Sequence, residues 1–121
     1  IRDRYGYDYD IIHSSKDLTN EIEEMITSAE ILYKRGLHWT TDAGYRETWG
    51  QVMDYRDKGA LCVEMEGVGL FTIANYRKCV ATGIYVVSDV YSENDWKLGW
   101  EGNDIKRAVG AVIDMIIESI R

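Results

Sequence analysis

Residues 60–77 read ALCVEMEGVGLFTIANYR, in which a short apolar run passes directly into helical spacing. Residues 60–65 are largely apolar and predict a buried strand. From Glu66 onward, apolar residues recur at three- and four-residue steps, which predicts a helix. Its apolar positions are Val68, Leu70, Phe71, Ile73 and Ala74. The segment therefore predicts a strand that leads straight into a helix, the repeating step of an α/β fold.

The residues upstream of this segment predict a second helix and a second strand. An amphipathic stripe is formed by Leu18, Ile22, Met25, Ile26, Ala29 and Leu32. We expect this helix to end at Arg35-Gly36, because glycine is common just past helix ends. Residues 37–41 favour β-structure and predict a strand, and the polar residues 42–44 predict the loop that follows it.

The downstream half predicts a third strand and a long final helix. Residues 79–87 are rich in β-branched residues and predict a strand that ends at Ser88-Asp89. Residues 91–102, with Tyr91, Trp96 and Trp100, have no period and predict a loop over a pocket or partner surface. Asn103 offers an N-cap for a helix that runs to the end of the chain.

Alternating strands and helices predict an α/β fold, a layered sheet with flanking helices. The chain has 121 residues, 45% of them apolar, and no proline or repeat marks an internal linker. We therefore expect residues 1–121 to form part of a single domain. Three strands make a small sheet with two open edges, which invite pairing with another chain.

Charge and hydropathy exclude several classes of partner. The chain carries 14 basic and 21 acidic residues, a balance that repels the phosphate backbone of nucleic acids. No apolar stretch approaches the roughly 20 residues that cross a bilayer, and the N-terminus lacks a signal-peptide pattern. These features predict a soluble, cytoplasmic protein with no nucleic-acid or membrane partner.

Cysteine and histidine spacing does not indicate a metal site. Cys62 and Cys79 lie in separate apolar segments without the paired spacing of zinc ligands, so we expect buried free thiols. His13 and His38 are isolated from each other and from carboxylates at ligand spacing. The sequence predicts no structural metal and no cofactor.

The strongest candidate site is Glu64-Met65-Glu66, where the predicted strand becomes a helix. Open α/β sheets bind ligands at the carboxyl ends of their strands, and a carboxylate can accept hydrogen bonds from two vicinal sugar hydroxyls. The alternative is structural, because acidic residues in a first helical turn interact favourably with the helix dipole. Spacing alone favours the structural interpretation here, and it also favours a turn after a strand for Ser88-Asp89.

Several motifs together resemble the purine and uridine phosphorylase family. Glu64-Met65-Glu66, followed by Leu70-Phe71, resembles the family's ribose-binding motif. Residues 40–47, TTDAGYRE, resemble its strand-to-loop stretch beside the base. Val87-Ser88-Asp89 resembles its last inner strand, and Ile1-Arg2-Asp3 resembles the start of its second half. The resemblance implies that the chain is the C-terminal half of a nucleoside phosphorylase fold.

The resemblance implies a role for each matching residue. Glu66 would bind the ribose hydroxyls and stabilise the oxocarbenium-like transition state, with Met65 against the sugar and Glu64 in support. Asp89 would protonate the leaving base, as in purine-cleaving members. Thr41, Tyr45 and Ser88 would complete the substrate site. Phosphate would be the co-substrate, giving free base and ribose 1-phosphate.

Two departures from the family pattern concern the base. Gly44 stands where many relatives place an aromatic ring, so Tyr45 or another residue must supply the stacking. Thr48 and Gly50 replace the Gln and Arg that uridine-specific bacterial relatives carry. Asp89 favours a purine substrate, while a uridine phosphorylase is the alternative.

The third departure concerns phosphate. The family's phosphate site is built from its N-terminal half, whose motifs do not occur in this sequence, and the chain begins at Ile1 without a methionine. Solvated arginines are common on surfaces, so Arg2, Arg4 and Arg46 are not assigned as substitutes. We expect the isolated chain to be inactive and to associate with itself or with the missing half. The alternative is a non-catalytic remnant that acts as a binding or assembly module.

Overall fold

Helices and strands alternate along most of the chain, and the structure is of the mixed α/β class. The computed structural model describes residues 11–92, 95–98 and 102–120. Within them the elements are α1 (Lys16–Ser28), β1 (Leu37–Thr40), a 3-10 turn (Gly44–Arg46), α2 (Trp49–Asp57), β2 (Ala60–Glu64), α3 (Gly67–Arg77), β3 (Asp89–Ser92), β4 (Asp95–Leu98) and α4 (Asn103–Ile120). The Ile1-Arg2-Asp3 motif and Arg4 lie outside the described residues.

Strands β1 and β2 form a parallel pair, which confirms both predicted strands. The register opposes His38 to Cys62, Trp39 to Val63 and Thr40 to Glu64. Beyond the last pair, the Thr41 N–H donates to the Glu64 carbonyl at 2.8 Å. Because the strands are parallel, their carboxyl ends lie side by side, at the edge where open α/β sheets bind ligands.

Helix α2, which connects the two strands, is an element that the sequence analysis missed. Its residues lack a clear apolar stripe, so periodicity gives little signal. The signal that could have found it is the capping box: the Thr48 side chain accepts from Gln51 N, and the Gln51 side chain accepts from Thr48 N. The Tyr55 ring stacks on Trp39 with centroids 4.3 Å apart, which holds the helix against β1.

The prediction that the first helix extends to Arg35 is wrong, because α1 ends at Ser28. Glu30 adopts a left-handed conformation with φ 54°. The Glu30 N–H donates to the Thr27 carbonyl and the Ile31 N–H to the Ile26 carbonyl, both at 3.1 Å. This is a Schellman ending, and it is invisible in the sequence because glutamate occupies the position where glycine is usual.

Two predictions for residues 79–102 are also wrong. Residues 79–88 form no strand, since β-branched residues make a strand only where a neighbouring strand offers a ladder. The antiparallel pair β3–β4 instead occupies much of the predicted loop, with Tyr91 opposite Trp96 and Ser92 opposite Asp95. Strands of only four residues give little pattern in the sequence. Trp100 lies outside the described residues.

The chain divides into two compact units. Among the described residues, one unit contains residues 11–20 together with Arg35–Gly83, and the other contains Glu21–Lys34 together with the described residues from Ile84 onward. The parallel pair and the Glu64-Met65-Glu66 segment belong to the first unit. The apolar residues that are buried in the described part are Ile26, Ala43, Phe71 and Met115. None of the helices in that part is long and apolar enough to cross a membrane.

Candidate functional site

The Glu64 carboxylate lies at the carboxyl end of β2 and is held by donors from two elements. Its side chain is only 7% exposed. Oε1 accepts a hydrogen bond from the Thr40 hydroxyl at the end of β1. Oε2 accepts from the N–H groups of Glu66 at 2.8 Å and Gly67 at 2.5 Å. The carboxylate therefore satisfies N–H groups that the start of a helix otherwise leaves without partners.

Thr40 and His38 extend this network along β1. The Thr40 hydroxyl also accepts a hydrogen bond from the Val68 N–H, at 3.1 Å. His38 Nε2 lies 3.5 Å from Glu64 Oε1, and the imidazole packs against Phe71 of α3 with ring centroids 5.9 Å apart. The end of β1, the end of β2 and the start of α3 are thus joined by side-chain contacts.

The environment keeps Glu64 ionised. Burial raises the pKa of its carboxyl, but the hydrogen bonds from Thr40, Glu66 N and Gly67 N lower it, as does the nearby His38. The lowering effects prevail, so the pKa of Glu64 lies below its usual range. Glu64 is therefore a fixed negative charge whose oxygens are already bonded to the protein.

Met65 and Glu66 have the opposite character, since both side chains face outward. Met65 is 53% exposed, and Glu66 is exposed at the N-cap of α3 without a side-chain capping bond. One Glu66 carboxylate oxygen accepts from the Met65 N–H at 3.2 Å. The two carboxylates of the segment therefore differ in environment. Glu64 is directed into the protein, whereas Glu66 is available to a ligand.

The two remaining candidates of the first unit differ in exposure. Thr41 is 7% exposed, and its hydroxyl lies 3.4 Å from the Ala43 N–H and 3.5 Å from the Ala43 carbonyl oxygen in a local turn. Tyr45 is 93% exposed in the 3-10 turn after β1. Arg46, which was not assigned to phosphate, pairs with Asp42 at 3.3 Å on an exposed surface. Thr41 and Tyr45 remain predicted substrate contacts.

Ser88 and Asp89 belong to the second unit. The Ser88 hydroxyl donates to the Asp89 carboxylate, and Asp89 is the first residue of β3. The expected position of Ser88 at the end of a third strand is wrong, because residues 79–88 form no strand. That Asp89 and Glu66 serve one active site stays a prediction from the family resemblance.

Thr40 and His38 join the candidate site only through the pairing of β1 with β2, which the sequence alone does not show. Residues two apart on a strand share a face, and the register puts His38 and Thr40 on the face that carries Cys62 and Glu64. Thr40 belongs to the motif at residues 40–47, but that motif does not show what its side chain contacts. Without the pairing of β1 with β2, its partner 24 residues away could not be identified.

The described residues add no group of metal ligands to this network. Across residues 11–92, 95–98 and 102–120, no three His, Cys, Asp or Glu side chains are grouped to hold a metal ion. A cleft of about 180 Å³ is lined by His13, Ser15, Phe71, Ala74, Asn75, Cys79, Val80 and Ala81.

Cys79 is exposed, so the expectation that both thiols are buried is wrong for it. Burial raises the pKa of the half-buried Cys62 thiol, as does the nearby Glu64 carboxylate.

Comparison with protein families gives one match. A family model described as the phosphorylase superfamily matches residues 4–118. Because the match covers nearly the whole chain, the chain belongs to the phosphorylase superfamily, which confirms the resemblance carried by its motifs. Membership indicates an enzyme that transfers glycosyl groups. No curated protein and no solved structure matches the chain significantly.

Proposed function

We propose that the chain contributes the sugar-binding part of a nucleoside phosphorylase. The observation that carries this proposal is the different environment of the two carboxylates at the end of β2. Glu64 is hydrogen-bonded to the protein, whereas Glu66 is exposed beside Met65. Membership of the phosphorylase superfamily supports the reaction type. A purely structural acidic helix start would need only one of the two carboxylates.

In the proposed reaction, phosphate displaces the base from the sugar. A phosphate oxygen forms a bond to the anomeric carbon while the bond from that carbon to the base nitrogen breaks, and its electron pair leaves with the base. Positive charge develops on the ribose, and the Glu66 carboxylate stabilises it most strongly in the transition state. Asp89 supplies the proton that the leaving base takes up. The products are free base and ribose 1-phosphate.

The proposed partners are a nucleoside and phosphate, with no further cofactor. Asp89 supports a purine over uridine, because protonation of the base assists a purine leaving group. Further copies of this chain, or another part of the protein, would supply the phosphate site. We propose a homo-oligomeric assembly, since many large apolar side chains of the described residues are exposed.

A phosphate-dependent screen tests the proposal. Inosine, adenosine, guanosine and uridine are incubated with and without phosphate, using this chain and a longer form of the protein that contains it. We expect base release that requires phosphate and is faster for inosine than for uridine. Faster cleavage of uridine would favour a uridine phosphorylase. Failure of both proteins to bind or cleave any nucleoside would favour a non-catalytic module and overturn the proposal.

A further inference from the structure

We infer that Thr40 is a positioning residue for the proposed ribose carboxylate of Glu66, an inference that rests on the proposed function. Its hydroxyl lies between the carboxyl end of β1 and the first turn of α3. It donates to Glu64 Oε1 and accepts from the Val68 N–H at 3.1 Å. A hydroxyl offers one donor and two acceptor lone pairs, so one side chain can make both bonds.

These two bonds complete a set that surrounds Glu66. The N–H groups of Glu66 and Gly67 donate to Glu64 Oε2, and the next N–H, that of Val68, donates to Thr40. Three successive N–H groups therefore depend on only two side chains. Thr40 also orients the carboxylate that receives the first two. The backbone from Glu66 to Val68 is held from the end of the neighbouring strand.

Positioning matters here because the Glu66 side chain has little support of its own. It is exposed and makes no capping bond, and the hydrogen bond that its carboxylate accepts from the Met65 N–H joins it to a neighbouring residue. The position of its Cα, from which the side chain reaches, is set by the backbone. A catalytic group that stabilises a transition state loses effectiveness when it is displaced by as little as about 1 Å. Thr40 thus acts through the backbone without touching the substrate.

The test compares Thr40→Val, Thr40→Ser and Thr72→Val. Valine keeps the shape of threonine but removes both hydrogen bonds, whereas serine keeps the hydroxyl. The control is Thr72, which is buried on α3. Its hydroxyl donates to the Val68 carbonyl at 2.6 Å and not to Glu64. If the valine variant does not fold, Thr40→Ala removes the same two bonds and replaces it.

The first measurement is amide hydrogen exchange, which needs no substrate. We expect Thr40→Val to accelerate exchange at Glu66, Gly67 and Val68 about tenfold or more, because a hydrogen bond to a charged group is lost. Thr40→Ser should restore slow exchange, and Thr72→Val should leave these three amides unchanged. Unchanged exchange in Thr40→Val would overturn the inference, whatever the catalytic result.

The second measurement is phosphorolysis by the active form of the protein. We expect Thr40→Val to lower kcat about tenfold or more with a smaller change in the nucleoside KM, because the Glu66 contact tightens in the transition state. Thr40→Ser should recover most of the loss. Faster exchange with an unchanged kcat would make Thr40 merely structural and overturn the inference. If the wild-type protein shows no phosphorolysis, the proposed function fails, and amide exchange alone decides whether Thr40 holds the segment.

Discussion

At the scale of single residues, the two glutamates of one short segment have different environments. Glu64 is 7% exposed and accepts hydrogen bonds from Thr40 and from two backbone N–H groups, whereas Glu66 is exposed. The sequence predicts a site at this segment, but it does not show which carboxylate is bonded internally. That difference depends on the pairing of β1 with β2, which places the Thr40 hydroxyl beside Glu64.

The ionised state of Glu64 predicts a pH-dependent contribution to stability. Because the pKa of the folded carboxyl is lowered, its contribution is complete above the unfolded value of about 4.3 and is lost as pH falls through the lower folded pKa. We expect wild type to exceed Glu64→Gln by about 1–3 kcal/mol in the free energy of unfolding at pH 7. Urea unfolding at pH 7 and near pH 3 measures it. A difference that stays constant down to pH 3 would contradict this assignment.

Asp89 carries the prediction about the base. Asp89→Asn keeps the shape of the side chain but cannot donate the proton, so we expect inosine cleavage to fall by about a hundredfold or more. Cleavage of uridine should fall much less, and the urea midpoint should stay unchanged. The measurement is kcat/KM for both nucleosides. Equal losses on the two substrates would indicate a structural role for Asp89 and its Ser88 contact.

At the scale of elements, the sequence predicts those that carry their own pattern. Apolar spacing identifies α3 and α4, and the segment around Glu64 identifies β2. Where the end of a helix or the pairing of a strand depends on backbone geometry, apolar spacing does not predict it. Helix α1 ends at Ser28 through a left-handed glutamate, and the β-branched run at residues 79–87 has no partner ladder. The sequence motifs name the candidate residues of the first unit, whose roles stay predictions, whereas Thr40 needed the strand pairing.

The left-handed Glu30 predicts an unusual gain in stability. A residue other than glycine pays roughly 1 kcal/mol or more in this conformation, so Glu30→Gly should raise the free energy of unfolding by about 0.5–1 kcal/mol. The matched control is Glu24→Gly, at an exposed position inside α1, which should lower the free energy of unfolding by about 1 kcal/mol. Thermal or urea unfolding shows whether each substitution raises or lowers the free energy of unfolding. A loss of stability in both variants would show that Glu30 does not adopt the left-handed conformation.

At the scale of the whole molecule, exposed apolar surface predicts association. Helix α4 carries an exposed stripe of Val109, Ile113, Ile117 and Ile120. Contiguous apolar surface of this kind usually marks an interaction site. We expect sedimentation of the 13.9 kDa chain to show concentration-dependent species larger than a monomer. A stable monomer at all concentrations would contradict the expectation.

Substitutions on α4 separate a specific stripe from a general effect of charge. Ile113→Glu with Ile117→Glu places two carboxylates on the stripe and should shift the sedimentation profile towards monomer. Lys106→Glu with Arg107→Glu adds negative charge at exposed polar positions of the same helix and should leave the profile unchanged. Equal effects of both pairs would assign the association to net charge, which is already −7.

If the carboxylate of Glu66 serves the reacting sugar of a nucleoside, its removal must slow phosphorolysis, whereas removal of a glutamate elsewhere must not. The measurement is kcat/KM for phosphorolysis by the active form of the protein, in Glu66→Ala and in Glu24→Ala, an exposed glutamate of α1. We expect a loss of about a hundredfold or more for Glu66→Ala, because the lost contact is strongest in the transition state, and no loss for Glu24→Ala. An unchanged kcat/KM in Glu66→Ala would contradict this role of Glu66.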